Sequence, residues 1–367
     1  MFFVPSLVLV YLGLSTAVMS TSGLKVVCSD SQIYYHGRWD TSPGTWWAGS
    51  GFKVHVQNLR SLALNLGPHT TSPLASIAVS VDYNNFTIVN VSSGTNVIPL
   101  ESSSRSSVVR INVEGWQNNR INLESLVLNS VDIQQDADLL SYQPSELSFL
   151  FIGDSLSAGQ YLPQGLNQAW PFLIGERFKA EHTVIAQPGA ALTDIESYGN
   201  VHGISFQFFK TEDTGYYYTA DHNYTTPWNF SRDKPTPTHI VIHIGANDAS
   251  QQVSGDEFVQ VYLEFLHRLR RIYDKQPIFV FTPWGWPAAD GEVSYYYDGK
   301  YEEIVRTSND GNIFLVNTTG WVTWNDVFPD NQHPNVPGHE KIAGKFMDWL
   351  VNWGLRPESR WATPVLS

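Results

Sequence analysis

The sequence predicts two domains of different class: an antiparallel β-sandwich over residues 21–142, then an α/β domain with a parallel sheet over 143–357. Three observations carry this. Up to about residue 142 the apolar stretches are short, β-branched and often alternating, as in LKVVCS, GFKVHVQ, LASIAVSVDY, VVRINVEG and LVLNSVDI. Clusters such as TSPG, GPHTTSP and ESSSRSS separate them as turns. After SYQPSE at 141–146 the strands become continuously apolar: ELSFLFIG, HTVIAQPG, THIVIHIG, QPIFVFTP and GNIFLVN. Such runs suit strands covered on both faces.

Helical spacing between those strands completes the argument. In DEFVQVYLEFLHRLRRIY, apolar residues fall at 258, 261, 262, 265, 269 and 272, one stripe of a helix. A last helix after Pro337 presents Ile342, Phe346, Trp349, Leu350 and Trp353. Strands alternating with helices imply a parallel sheet with helices on both faces. The chain's 367 residues suit two such domains. Residues 203–238 break the alternation with a long segment rich in Tyr and polar residues. A loop of that length is either functional or a surface decoration.

Residues 1–20, MFFVPSLVLVYLGLSTAVMS, are uncharged, largely apolar and end in small residues, which suits a cleaved secretory signal. Pro5 and Gly13 interrupt the run, against a spanning helix. Asn-x-Ser/Thr sequons at Asn85, Asn90, Asn223, Asn229 and Asn317 point the same way, to a secreted glycoprotein. Cys28 is the only cysteine, so no intrachain disulfide forms, and it reads as a small buried hydrophobe. The formal charge is 22 − 35 = −13. An acidic chain disfavours nucleic acid and anionic membrane surfaces as partners.

In open parallel sheets, ligands bind beyond the carboxyl ends of the strands. The chain puts Gly153-Asp154-Ser155 after its first such strand, and Gln187-Pro188-Gly189 after the second. Gly245-Ala246-Asn247-Asp248 follows the third, and Pro283-Trp284-Gly285-Trp286 the fourth. Asp330-Asn331-Gln332-His333-Pro334 precedes the last helix. Taken singly, each has a plain structural reading. Ser155 caps a helix, Asp154 shapes the turn, Asn247 and Asp248 are turn residues, and His333 is a loop histidine. His339 reads as a residue that fixes the last helix. No HExxH, cysteine cluster, EF-hand loop, Walker A or strand–GxGxxG–helix pattern occurs, so neither metal nor cofactor is expected.

Together these segments resemble the four blocks of the SGNH (GDSL-type) hydrolases: GDSL at 153–156, PGAAL at 188–192, GAND at 245–248 and DNQHP at 330–334. The resemblance implies a flavodoxin-like three-layer domain with Ser155 as nucleophile, His333 as base and Asp330 orienting the imidazole. It assigns the oxyanion hole to the backbone N–H groups of Ser155 and Gly189 and the side-chain amide of Asn247. The chemistry suits each role. A serine hydroxyl needs an adjacent base, the base needs its other nitrogen held, and donors must await the developing oxyanion.

A sandwich ahead of such a domain resembles the family-2 carbohydrate esterases, which deacetylate plant polysaccharides. YYHGRWD at 34–40 and TWWAGSGF at 45–52 are similar to that family's N-terminal domain. Some members lack the carboxylate partner of the histidine; Asp330 is present here, so a full triad is expected. The expected protein is a secreted, monomeric esterase acting on acetylated polysaccharide or oligosaccharide through an acyl-enzyme. A lipid or other small-ester esterase and a non-catalytic carbohydrate-binding protein are the alternatives. Trp284, Trp286 and Trp324 are candidates to stack on a sugar ring, with core packing as the other reading of each. Arg38 and Trp39 of the sandwich are candidates to reach the cleft.

Overall fold

The computed structural model describes residues 23–100, 105–114, 119–130, 136–213 and 226–366. The leader at 1–20 and the sequon at Asn223 lie outside them. Ten strands form the N-terminal region: β1 (Leu24–Val27), β2 (Tyr34–Trp39), β3 (Thr45–Gln57), β4 (Leu59–Leu66), β5 (Ala75–Val81), β6 (Thr87–Val91), β7 (Gly94–Ile98), β8 (Ser106–Val113), β9 (Leu123–Ser130) and β10 (Asp138–Leu140). They pair antiparallel in two sheets, β1-β9-β4-β7 and β10-β3-β8-β5-β6, with β2 joined to β3. Alternate residues such as Phe52, Val54, Val56, Leu62, Leu64, Ile77, Ile111, Leu126 and Leu128 meet between the sheets in one core. Cys28 is half-buried against that core. The expected sandwich is present.

The second region carries β11 (Ser148–Asp154), β12 (Glu181–Gln187), β13 (His239–His243), β14 (Ile278–Phe281), the short hairpin β15 (Trp286–Pro287) and β16 (Val293–Ser294), and β17 (Ile313–Val316). Five of these form a parallel sheet in the order β12-β11-β13-β14-β17. Strand alternation divides their side chains between two cores. Phe149, Phe151, Val241, Phe279 and Phe281 face α2 (Trp170–Phe178) and α7 (Val336–Trp353). Leu150, Ile152, Ile240, Ile242, Ile278 and Val280 face α5 (Gly255–Arg270) and α6 (Lys300–Ser308). The result is the expected three-layer fold with the strand order of a doubly wound sheet.

Local signals set the helix ends. The Ser254 side chain accepts from Glu257 N–H to start α5, and Asn335 accepts from Gly338 N–H to start α7, with Pro337 in its first turn. In α5, Val259 and Leu266 are buried alongside Phe258, Tyr262, Phe265 and Leu269. In α7 the apolar face includes His339 and Ala343, and Trp353 is 37% exposed at the helix end.

The regions join through a polar and aromatic seam. Lys53 of β3 and Glu181 of β12 form a buried ion pair at 2.5 Å, and the Tyr142 hydroxyl donates to Glu181 at 2.9 Å. Trp46 and Trp47 of β3 enter the second core of the α/β domain. The described parts of segment 203–238, which include the short helix α3 (Ile204–Gln207), dock on the same seam. Arg38 is 3% exposed, with its guanidinium 5.2–5.8 Å from the rings of Trp47, Phe208, Trp228 and Phe230 and bonded to the Lys210 carbonyl. Arg38 and Trp39 therefore depart from the expectation that they reach the cleft: Arg38 is enclosed by aromatic rings, and Trp39 lies in the sandwich core. Past α7 the chain returns to the sandwich, where Trp361 stacks on Tyr83 at 4.7 Å and Leu366 pairs with Ser106.

Candidate active site

The site is built at the carboxyl ends of the parallel strands. β11 runs fully buried into Asp154, whose carboxylate oxygen accepts from Leu156 N–H at 3.0 Å. That cap starts the short helix α1 (Ser155–Ala158) and puts Ser155 at its first position. Gly153 permits the turn, since an added Cβ would meet Ser157 Oγ at 2.4 Å and the His243 carbonyl at 2.8 Å. Burial pushes the Asp154 carboxyl up to about 7.

Gly189 follows β12 at φ +78, and a Cβ there would lie 2.7 Å from Tyr198 Cβ. Asn247 is the second residue of α4 (Ala246–Ser250) after β13, and its side-chain amide donates to the Ala190 carbonyl at 2.9 Å. One amide hydrogen is so used, which orients the group and leaves the second for a ligand. Asp248 braces the same two segments, accepting from Leu192 N–H at 2.7 Å and Thr193 N–H at 2.9 Å.

His333 stands on a tight hairpin. Val327 pairs with Pro334, and Phe328 N–H donates to the His333 carbonyl at 2.8 Å. Gln332 takes a left-handed conformation at φ +57, and its side chain donates to the Pro287 carbonyl at 3.0 Å. The hairpin brings His333 Nε2 to 2.9 Å from Ser155 Oγ, across 178 residues of chain. Burial lowers the imidazole pKa, partly countered by a hydrogen bond to the Asn331 backbone, so the ring is neutral in neutral solution.

The expected third member departs from this arrangement. His333 Nδ1 bonds the Asn331 carbonyl oxygen at 3.1 Å, while Asp330 is exposed at the tip of the turn. The physical reason lies in the hairpin. Asn331 folds back so that its side-chain oxygen accepts from His333 N–H at 3.0 Å, turning its own carbonyl toward the ring. Asp330 faces water on the outside of that bend.

An open cleft of about 1020 Å³ lies over these groups. Its lining includes Ser155, Gly189, Asn247 and His333, with Tyr161, Tyr198 and Trp286. The Tyr161 ring meets His333 edge-on at 5.0 Å, and Trp286 lies 6.1 Å from it. Trp286 is thus on the cleft. Trp284 is not: it is 1% exposed and stacks on buried His243 at 3.8 Å. Trp324 packs half-buried against the core and is not part of the cleft lining. Trp284 follows a strand end and Trp324 precedes the His333 block, but side-chain direction turns both toward the core. His339, also buried, accepts from Trp170 N–H at 3.1 Å and holds α7 on α2. Tyr161, Gln187, Tyr198 and Ser250 line the cleft without a sequence signal of their own beyond lying after strand ends. Among the described residues no group of His, Cys, Asp and Glu is arranged to hold a metal ion.

The profile of the GDSL-like Lipase/Acylhydrolase family matches residues 151–341, more than half of the chain and every block of the site. The chain belongs to this family. It is an esterase-type hydrolase by that membership, and comparison with curated proteins finds no match. Solved structures similar to this GDSL-like hydrolase include a family two carbohydrate esterase from Clostridium thermocellum in complex with cellohexaose. That protein is 20% identical, with 88% of this chain and 98% of that one covered and a TM-score of 0.69. A family two carbohydrate esterase from Cellvibrio japonicus is 15% identical over 90% and 98%, TM-score 0.71. An acetyl xylan esterase from the rumen bacterium Butyrivibrio proteoclasticus is 14% identical over 90% and 99%, TM-score 0.70. The GDSL-like hydrolase shares their whole two-domain fold.

Proposed function

We propose that the protein is an exported serine esterase that removes acetyl and other small acyl groups from plant cell-wall polysaccharide through an acyl-enzyme. The observation that carries the reading is the 2.9 Å contact between Ser155 Oγ and His333 Nε2, in a cleft where Gly189 and Asn247 converge. In the first half-reaction Ser155 Oγ attacks the ester carbonyl as its proton passes to His333 Nε2. The oxyanion takes hydrogen bonds from Ser155 N–H, Gly189 N–H and the free hydrogen of the Asn247 amide. His333 returns its proton to the departing sugar hydroxyl, leaving acyl-Ser155. Water, deprotonated by the same imidazole, then attacks, and acetate leaves with Ser155 restored. The Asn331 carbonyl holds Nδ1–H throughout, so the nitrogen facing Ser155 stays the basic one.

A carbohydrate leaving group is supported by the cleft's exposed aromatic rings, since indole and phenol faces pack on sugar rings. The similar solved structures, family two carbohydrate esterases and an acetyl xylan esterase, agree with it. Export is supported by the apolar leader and by exposed sequon residues at Asn85, Asn90, Asn229 and Asn317. Among the described residues no helix is long and apolar enough to cross a membrane.

The test is hydrolysis of acetylated xylan, acetylated glucomannan and a triglyceride by the parent protein and Ser155→Ala. Acetate release from the polysaccharides by the parent, abolished in the variant, is expected. Preference for the triglyceride overturns the carbohydrate reading, and full activity in Ser155→Ala overturns the mechanism.

A further inference from the structure

We infer that Tyr198, latched to Ser250, is the wall that limits how long an acyl chain the cleft accepts. The inference rests on the esterase reading and asks which half of the ester each side of the cleft receives.

The cleft has two sides with different attachments. Tyr161 and Trp286 lie against His333. His333 must hand its proton to the leaving group, so the sugar departs past these rings. The oxyanion hole holds the carbonyl oxygen and Ser155 holds the carbon. The acyl chain is left with the remaining direction, along the side formed by Gly189, Ala246, Asn247, Ala249 and Ser250. Tyr198 stands on that side, 58% exposed at the cleft.

Its position is built rather than incidental. Ser197 and Asn200 exchange both backbone hydrogen bonds at 2.9 Å, and the two residues between them, Tyr198 and Gly199, have φ +46 and +83. Positive φ at both positions is the requirement of the tightest hairpin turns, and it is costly for a tyrosine. The Asn200 amide donates to the Pro188 carbonyl at 2.9 Å, which pins the turn onto the segment that carries Gly189. Tyr198 Cβ and Cγ stand 2.7 and 3.5 Å from where a Gly189 Cβ would be. The ring therefore rises directly beside the oxyanion hole. Its hydroxyl hydrogen-bonds Ser250 Oγ at 2.5 Å, spanning from the turn to the end of α4. Behind that span the lining residues Ala246 and Ala249 are small, which suits a short acyl group.

The experiment uses the full-length protein and p-nitrophenyl esters of acetate, butyrate and octanoate, with kcat/KM measured for the parent, Tyr198→Ala, Tyr198→Phe and Ser250→Ala. Because the leaving group is constant, only the acyl side is read. The parent is expected to favour acetate. Tyr198→Ala is expected to raise the octanoate-to-acetate ratio by about tenfold or more, the scale on which a pocket discriminates by added methylenes. Tyr198→Phe keeps the ring and Ser250→Ala keeps the tyrosine, so each is expected to raise the ratio by less. An unchanged ratio in Tyr198→Ala overturns the wall. So does a parent that already takes octanoate as readily as acetate, which leaves the esterase reading standing. If Tyr198→Ala instead loses activity only on acetylated oligosaccharide, Tyr198 is a sugar contact and the inference fails. A parent inactive on every ester removes the esterase reading and the wall together.

Discussion

Asp330→Asn should leave catalysis nearly intact, although Asp330 occupies the sequence position of a triad carboxylate. In the structure His333 Nδ1 bonds the Asn331 carbonyl, and Asp330 is exposed on the outside of the hairpin. Its influence on the imidazolium formed during catalysis is that of a charge seen through water. Two unit charges 4 Å apart in water interact by about 1 kcal/mol, and Asp330 makes no hydrogen bond or ion pair with the ring. The ceiling on its contribution is then about fivefold in rate. A carboxylate that truly orients a catalytic histidine is worth about 10⁴-fold when changed to the amide. The assay is kcat/KM on p-nitrophenyl acetate for the parent, Asp330→Asn and Asp330→Ala. Values within about fivefold of the parent are expected. A loss of a thousandfold or more in both variants would show that the carboxylate swings in to hold Nδ1, and would refute the backbone-carbonyl dyad.

Asn247→Ala should lower kcat by about 10²–10³ with the fold retained, the cost of one lost oxyanion donor; a loss under about threefold would remove Asn247 from the hole. The pH profile of kcat/KM should rise to a plateau with an acid limb centred below 6.5, because burial lowers the His333 pKa and the base works only when neutral. A limb centred near 7 would assign the titration to Asp154 instead, whose carboxyl is pushed up to about 7. Lys53→Met should cost about 3–5 kcal/mol in denaturant unfolding, because it strands the Glu181 charge in the seam between the domains, where the pair is 7% and 4% exposed. A cost under about 1 kcal/mol would mean that water or another cation reaches Glu181.

The domain order, the class of each domain and the strand ends that bear the site were legible because they rest on local periodicity. Continuous apolar runs such as SFLFIG have one stable use, a strand covered on both faces, and the polar residues after each run must then lie on one edge of the sheet. Ser155, Gly189, Asn247 and His333 came out of that rule together with the block resemblance, and the structure brings all four to one cleft.

What the sequence could not decide was direction. Trp284 and Trp286 are two residues apart, yet one stacks on His243 in the core and the other faces His333. Asp330 and Asn331 are adjacent, and a hairpin bend chooses the backbone of one over the carboxylate of the other. Arg38 lies in a stretch that resembles a carbohydrate esterase sandwich, and three of the four rings around it, Phe208, Trp228 and Phe230, come from 170 or more positions away. Residue type and spacing determine which elements form and where chemistry gathers. Which nitrogen meets which oxygen is set within a few ångströms by contacts between segments far apart in the chain, so only the folded structure decides it.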